Sequence, residues 1–277
     1  MRKPKKMVSV IIPAYKQEKT IERDVKNIDD VMFQTRFNYE IIVVVDGFVD
    51  KTYVNAGKIR RKKVKVYGYG KNKGKGFAIR YGMARSRGDY IAFIDSGMDI
   101  DPNGISLILE HLEWYGADII VGSKRHPASK VYYPSFRKLY SSVYYIFVKF
   151  LLGVKVRDTQ AGLKVFKREV LEAVLPRLLV KEFAFDVEIL SVANHLGFNK
   201  IYESPIYLNW DKSNTTFTPW MVFDKNIRNM IRDTLAVFYR LRILKYYDDS
   251  KKRKWVYDKD LDMRINTGYL SESSNDS

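Results

Sequence analysis

Residues 88–102 read Gly-Asp-Tyr-Ile-Ala-Phe-Ile-Asp-Ser-Gly-Met-Asp-Ile-Asp-Pro, and this stretch decides the fold. Tyr90 to Ile94 is a short apolar run, the pattern of a strand buried on both faces. Asp95 ends it, and Asp99 and Asp101 follow within one loop. A single aspartate there is ordinary turn chemistry. Three after one apolar strand point to a metal or phosphate-linked site, because Mg²⁺ and Mn²⁺ take few carboxylates together with phosphate oxygens and water.

The same rhythm runs outward on both sides. Val8 to Ile12, Tyr39 to Val45, Val64 to Gly68 and Ala117 to Val121 read as further buried strands. Gln17 to Met32 has helical spacing, with Ile21, Val25, Ile28 and Val31 on one face. Gly76 to Arg85 reads as a helix packed through Ala78, Tyr81, Gly82 and Ala84, and Ile105 to Tyr115 as another. Strand and helix alternating in this way predict a mostly parallel, Rossmann-like α/β sheet flanked by helices. Ligands of such sheets lie at the carboxyl ends of the strands. That rule selects Pro13-Ala14-Tyr15, Asp46, Asp95 to Asp101 and Gly122 to Arg125.

Beyond residue 130 the pattern is less regular. Ser135 to Leu152 and Phe185 to Leu196 read as helices, and Val165-Phe166 and Tyr202 to Leu208 as strands. Three regions are expected: one α/β domain over 1–215, a basic amphipathic helical appendage over 216–258 built on Thr218 to Lys245, and a polar, disordered tail over 259–277.

With 46% hydrophobic residues the chain can bury a full core, which excludes a disordered protein. It has no cysteine, which excludes disulfides and thiolate zinc sites and fits a reducing cytoplasm. The apolar run after the basic start is too short for a signal-peptide core. No stretch reaches the roughly 18 apolar residues of a membrane span. The net charge of +17 favours an anionic partner, or else a lysine-rich solvated surface. His111, His126 and His195 show no metal spacing and read as structural.

Several segments, taken in order, resemble the family-two inverting glycosyltransferases with the GT-A fold, in particular the dolichyl-phosphate mannose and glucose synthase branch and its bacterial relatives. They are Val10-Ile11-Ile12-Pro13-Ala14-Tyr15, Glu40 to Thr52, Asn72-Lys73-Gly74-Lys75-Gly76, Gly88 to Asp95 and Gly122-Ser123-Lys124-Arg125. Asp158-Thr159-Gln160-Ala161-Gly162-Leu163-Lys164-Val165-Phe166, Phe185-Asp186-Val187-Glu188 and Glu203-Ser204-Pro205-Ile206 complete the set. The resemblance covers about Met7 to Trp210.

It implies a nucleotide-sugar donor, a divalent Mg²⁺ or Mn²⁺, and a polyprenyl-phosphate acceptor. Pro13, Ala14, Tyr15, Glu18, Asp46, Lys75, Asp95 and Ser96 would serve the donor. Asp95, Asp99 and Asp101 would serve the metal. Arg125 and Lys164 would meet phosphate, and Asp158 and Asp186 would be the catalytic carboxylates. Arg137, Thr159, Gln160 and Glu188 would face the acceptor. Three positions depart from the family pattern. Val45 stands where an aspartate usually precedes Asp46, Gly97 replaces the middle acid of the Asp-x-Asp pattern, and Lys16-Gln17 replaces the usual Asn-Glu, leaving Glu18. The base is therefore left open.

A phosphate acceptor is already anionic near neutral pH and needs no strong general base. The Gln-x-x-Arg-Trp motif of processive relatives is absent, which favours a single transfer. Aromatic Val143 to Leu152 and basic Trp220 to Lys245 suit an anionic membrane interface. The chain is thus expected at the cytoplasmic face, peripheral, alone or with an integral-membrane partner or a second copy. Three rivals are weighed: transfer to a sugar hydroxyl in cell-surface glycan assembly, a non-catalytic nucleotide-sugar-binding scaffold, and nucleic-acid binding. The last is disfavoured by the acidic loop at the ligand edge.

Overall fold

The computed structural model describes residues 6–132, 135–182, 184–209, 225–248 and 253–269. Its centre is a seven-stranded sheet in the order β3-β2-β1-β4-β7-β5-β8. The strands are β1 (Met7–Ala14), β2 (Asn38–Asp46), β3 (Val64–Tyr69), β4 (Tyr90–Ile94), β5 (Ile119–Ser123), β7 (Leu163–Lys167) and β8 (Ile201–Pro205). All run parallel except β7, which pairs antiparallel with both β4 and β5. β1 and β2 are buried along nearly their whole length, which is why they read as unbroken β-branched runs.

Helices cover both faces. On one lie α1 (Ile21–Gln34), α2 (Thr52–Gly57) and α4 (Asn103–Trp114). α1 buries Ile21, Val25, Ile28 and Met32; Met32 takes the place expected for Val31, which stays half-exposed. On the other lie α3 (Lys75–Ala84), α5 (Ser135–Leu152), α6 (Arg168–Val174) and α7 (Phe185–His195). α3 lies so close to the sheet that a methyl group on Gly82 would sit 2.5 Å from the Ile11 side chain. Short strands β6 (Lys130–Tyr132) and β9 (Tyr207–Asn209) pair in parallel beside the main sheet.

The C-terminal third departs from the expected appendage and tail. α8 (Lys225–Phe238) continues into one π-helical turn, Tyr239–Ile243. Val237, Leu241, Tyr246 and Tyr247 are buried in the core shared with α3, α5 and α7. An amphipathic helix with a buried face belongs to the domain. The start of the expected helix, Thr218 to Asp224, lies outside the described residues. The expectation of disorder from residue 259 is corrected up to 269: β10 (Arg253–Asp258) and β11 (Met263–Tyr269) form an antiparallel hairpin. Its turn is set by Asp258, whose Oδ1 accepts the backbone N–H groups of Asp260 and Leu261. No strand is announced there by sequence, because Trp255, Val256 and Tyr257 are consecutive and flanked by charges, without apolar alternation.

Candidate active site

The carboxyl ends of β1, β2 and β4 converge on one crevice. Pro13 and Ala14 close β1 and are buried, whereas Tyr15 is exposed at the rim. Lys16 turns the chain with φ at 55° and lays its ammonium 5.3 Å from the Tyr15 ring centre. Glu18 is occupied by the neighbouring loop: its Oε2 accepts the Lys51 N–H and its carbonyl accepts Asn55 Nδ2.

Asp46, the last residue of β2, is buried and shapes the next loop. It accepts N–H donation from Lys73 at 2.7 Å and Gly74 at 3.0 Å, and from Asn72 Nδ2 at 3.1 Å. Gly74 adopts φ 95°, and a methyl group there would sit 2.5 Å from the Lys181 carbonyl. The loop therefore delivers Lys75 to the first position of α3.

Lys75 starts a chain of alternating charge. Its Nζ lies 2.8 Å from Asp95 at the end of β4 and 3.7 Å from Asp186 in the first turn of α7. Asp186 in turn sits 2.6 Å from Lys164 on β7, whose Nζ also donates to the Ala161 carbonyl. Burial alone would lower the Lys75 pKa, but Asp95 and Asp186 outweigh it and hold the ammonium charged. Lys164 is fully enclosed, and burial pushes its pKa down despite Asp186. Lys164 was expected to meet phosphate oxygens; it lies instead beneath Asp186 and acts on the crevice through it. Gly162 permits this packing, because a methyl group there would stand 2.1 Å from Asp95 Oδ2.

A second cluster lies at the end of β5. Asp158, buried, accepts the Lys124 N–H at 2.8 Å and pairs with the Lys124 ammonium at 3.2 Å. Glu203 holds the loop from below by accepting the N–H groups of Arg157 and Asp158. Arg125 donates to the hydroxyls of Ser141 and Ser142 on α5 and lies 5.5 Å from the Tyr145 ring centre. Thr159 is buried, and Gln160 Nε2 is buried without a hydrogen-bond partner. Lys124 and Glu203 stood in quoted motifs but received no role, because an ion pair across 34 or 46 positions leaves no local signal.

Two expectations are corrected by their surroundings. Glu188 does not face an acceptor: fully buried, it accepts the N–H groups of Leu179 and Val180 and the Tyr247 hydroxyl at 2.7 Å. It ties α7 to the C-terminal segment. Asp101 is likewise taken up locally, accepting the Asn103 N–H at 2.8 Å at the start of α4. The loop turns away because Ile100 is buried in a bridge with Leu208 and Asp101 N–H donates to the Tyr207 carbonyl. Asp99 is exposed, Ser96 is half-buried, and Arg137 belongs to α5. Among the described residues no three His, Asp or Glu side chains gather as a metal site. Asp95 retains capacity for one: both its oxygens lie 2.8 Å from the Lys75 ammonium, to which Oδ2 hydrogen-bonds, and a carboxylate keeps lone pairs to spare beside one such partner. The middle of the Asp-x-Asp pattern also has a structural reason. Gly97 adopts φ 96° and donates its N–H to the buried Asp24 of α1, which a bulkier residue would strain.

The glycosyl transferase family 2 profile matches residues 9–175, the span that holds Asp46, Lys75, Asp95, Asp158 and Lys164. The chain belongs to that family. It is a glycosyltransferase. It is 32% identical over 261 residues to a dolichyl-phosphate beta-glucosyltransferase of Homo sapiens, covering 87% of this chain and 77% of the relative. A dolichol-phosphate mannosyltransferase of Pyrococcus furiosus is 33% identical over 60% of this chain and 48% of its own length. Among solved structures, the glucosyl-3-phosphoglycerate synthase of Mycobacterium tuberculosis, in complex with Mn²⁺, UDP-glucose and phosphoglyceric acid, superposes with a TM-score of 0.61 at 19% identity, over 94% of this chain and 86% of that one. The mannosyl-3-phosphoglycerate synthase of Rubrobacter xylanophilus gives 0.63 at 17%, over 92% and 82%. These two likenesses speak for the fold.

Proposed function

We propose that this glycosyltransferase moves a hexose from a nucleotide sugar to a dolichyl or other polyprenyl phosphate at the cytoplasmic face of a membrane. The observation that carries the reading is the Asp95–Lys75–Asp186–Lys164 array at the strand ends, in a chain related over most of its length to dolichyl-phosphate glucosyltransferases.

The leaving group of the donor is a nucleoside diphosphate, and its growing charge is the main obstacle to transfer. Asp95, through the carboxylate lone pairs left beside Lys75, and Asp99 are the residues that would hold Mg²⁺ or Mn²⁺. The ion would supply Lewis-acid neutralisation of the diphosphate. Pro13, Ala14 and Tyr15 line the rim where a base and ribose would lie. Lys75 meets donor phosphate from the opposite side of Asp95. Asp186, held between Lys75 and Lys164, keeps Lys75 aimed. Arg125 and Lys124, with Asp158 between them and the sheet, form the cationic wall for the acceptor phosphate. Gln160 offers a free amide N–H to a sugar hydroxyl or phosphate. The acceptor phosphate arrives already ionised and attacks the anomeric carbon opposite the departing diphosphate, so no side chain need remove a proton.

The acceptor tail favours a lipid surface. α5 leaves Val143, Ile146 and Phe150 exposed, Phe150 by 88%. α8 and its π turn add Ile231, Leu235, Tyr239 and Ile243, flanked by exposed Lys149, Arg228, Arg232, Arg242 and Lys245. Tyr144 on α5 and Thr234 on α8 hydrogen-bond at 2.9 Å, so the two helices lie side by side. Each cation near an anionic leaflet contributes about 1 kcal/mol. Among the described residues no helix is long and apolar enough to cross a membrane.

The test is transfer of labelled hexose from UDP-glucose and from GDP-mannose to dolichyl phosphate in anionic vesicles, with and without Mn²⁺. Metal-dependent formation of a lipid-linked sugar supports the proposal. Transfer to free sugars with dolichyl phosphate ignored would overturn it.

A further inference from the structure

The C-terminal hairpin reaches back across the molecule to the loop that carries Lys75. Asp260 in its turn lies 2.6 Å from the Lys73 ammonium. That ammonium also stands 4.7 Å from the Phe77 ring centre, so it is held between the hairpin and α3. The backbone N–H of Lys73 is the one gripped by Asp46, two residues before Lys75. At the far end of α3, Arg85 donates to the Leu261 carbonyl at 2.9 Å, and its guanidinium stacks 3.5 Å from the Tyr81 ring centre. Leu261 is fully buried there. Asp258 shapes the turn so that Asp260 and Leu261 point to opposite ends of one helix. Strand β11 also packs on the Leu175–Arg177 turn, which fixes the hairpin to the body of the domain.

We propose that the hairpin is a splint for α3, and that Asp260 is a positioning residue of the transferase: it sets the Asn72–Gly74 loop and thereby Lys75 against the donor diphosphate. It touches no reacting atom. Contacts at both ends of α3 resist its rotation about its axis, and the first residue of α3 is the donor-side lysine. The pair is half-exposed, with Asp260 66% and Lys73 29% open to solvent. Its contribution is therefore that of an ordered surface pair, which sets the size of the expected effect.

This inference rests on the donor reading of Lys75, and the experiment separates the two. UDP and GDP binding with Mn²⁺ is measured by calorimetry on the full chain, followed by donor kinetics with dolichyl phosphate. Asp260→Ala is expected to raise the nucleotide Kd and the donor KM about two- to five-fold with kcat and Tm unchanged. Asp260→Glu should restore both, and so should the exchanged pair Lys73→Asp with Asp260→Lys. Wild type that binds neither nucleotide overturns the donor reading and the splint together. Wild type that binds one of them, with Asp260→Ala binding it equally well, overturns the splint alone. A loss of Tm in step with affinity, not rescued by the exchanged pair, also overturns it, because a merely structural hairpin would behave so.

Discussion

At the residue scale the crevice is governed by two close approaches. Gly162 has no space for a side chain, since a methyl group would fall 2.1 Å from Asp95 Oδ2. Gly162→Ala must displace the carboxylate that faces the donor, while the surrounding strands can stay paired. We expect a folded protein, with Tm lowered by only a few degrees, that has lost Mn²⁺-dependent nucleotide binding. Calorimetry with UDP or GDP decides it; undiminished binding would contradict the role given to Asp95. The second approach is Lys164 on Asp186. Asp186→Asn strands a fully buried ammonium and is expected to cost about 3–5 kcal/mol in urea unfolding. Lys164→Met leaves Asp186 with Lys75 3.7 Å away and should cost clearly less. Equal losses would show that Lys75 does not support Asp186 once Lys164 is gone. The positions of Asp95 and Asp186 were legible because one ends a strand and the other begins a helix in a motif; Asp46 ends β2 as read, but its carboxylate is taken up by the Lys73 and Gly74 amides. Glu188 was misread for the same reason: its place in the motif is identical whether it faces a ligand or the Leu179 and Val180 amides.

At the element scale, strands and helices followed from pattern wherever one face or both were buried. β4 was expected and found at Tyr90–Ile94, and α5 at Ser135–Leu152. α2 and α6 escaped, being short helices of six and seven residues with too few turns for a period to show. The hairpin escaped because its strands carry Arg253, Lys254, Asp258 and Arg264, with little apolar alternation. α5 divides its work between faces: Val148 and Leu152 enter the core, Ser141 and Ser142 hold Arg125, and Ile146 and Phe150 face outward. Ile146→Ser with Phe150→Ser therefore removes outward apolar area only. Flotation with vesicles containing phosphatidylserine should show binding lowered about ten-fold or more, as loss of two large apolar contacts implies, with Tm preserved. Unchanged flotation would remove α5 from the membrane-facing surface.

At the scale of the whole molecule, charge and acid stability are linked. The chain carries +17, and protonating carboxylates adds to that self-repulsion. Glu40 is a buried carboxylate at the foot of the sheet. Burial acts to raise its pKa, but Lys65 at 2.8 Å, the Arg87 N–H and the Ser9 hydroxyl together hold it below the ordinary glutamate value of 4.5. A depressed carboxylate stabilises the fold above its unfolded pKa, and that stability is lost as pH falls through the folded pKa. Unfolding free energy should therefore be flat near neutrality and fall below about pH 4.5. Glu40→Gln should be less stable at pH 7 and show a shallower acid slope. Parallel slopes for the two proteins, measured by urea unfolding from pH 3 to 7, would place the acid sensitivity elsewhere.

What residue order determined by itself was the alternation of strand and helix, the parallel sheet and the edge at which its ligands lie. Those follow from local hydrophobic period and from strand ends, and both are written in consecutive residues. Only the tertiary structure decided which acids face the crevice and which are consumed within it. Asp101 is taken up by the Asn103 N–H, Glu188 binds backbone amides and Asp46 folds a loop, while Asp95 stays at the crevice paired with Lys75. It also decided that α8 belongs to the core and that Asp260 meets Lys73 across 187 positions. Contacts between residues so far apart depend on how the elements pack, and a carboxylate's partner, unlike its position at the end of a strand, has no local period to announce it.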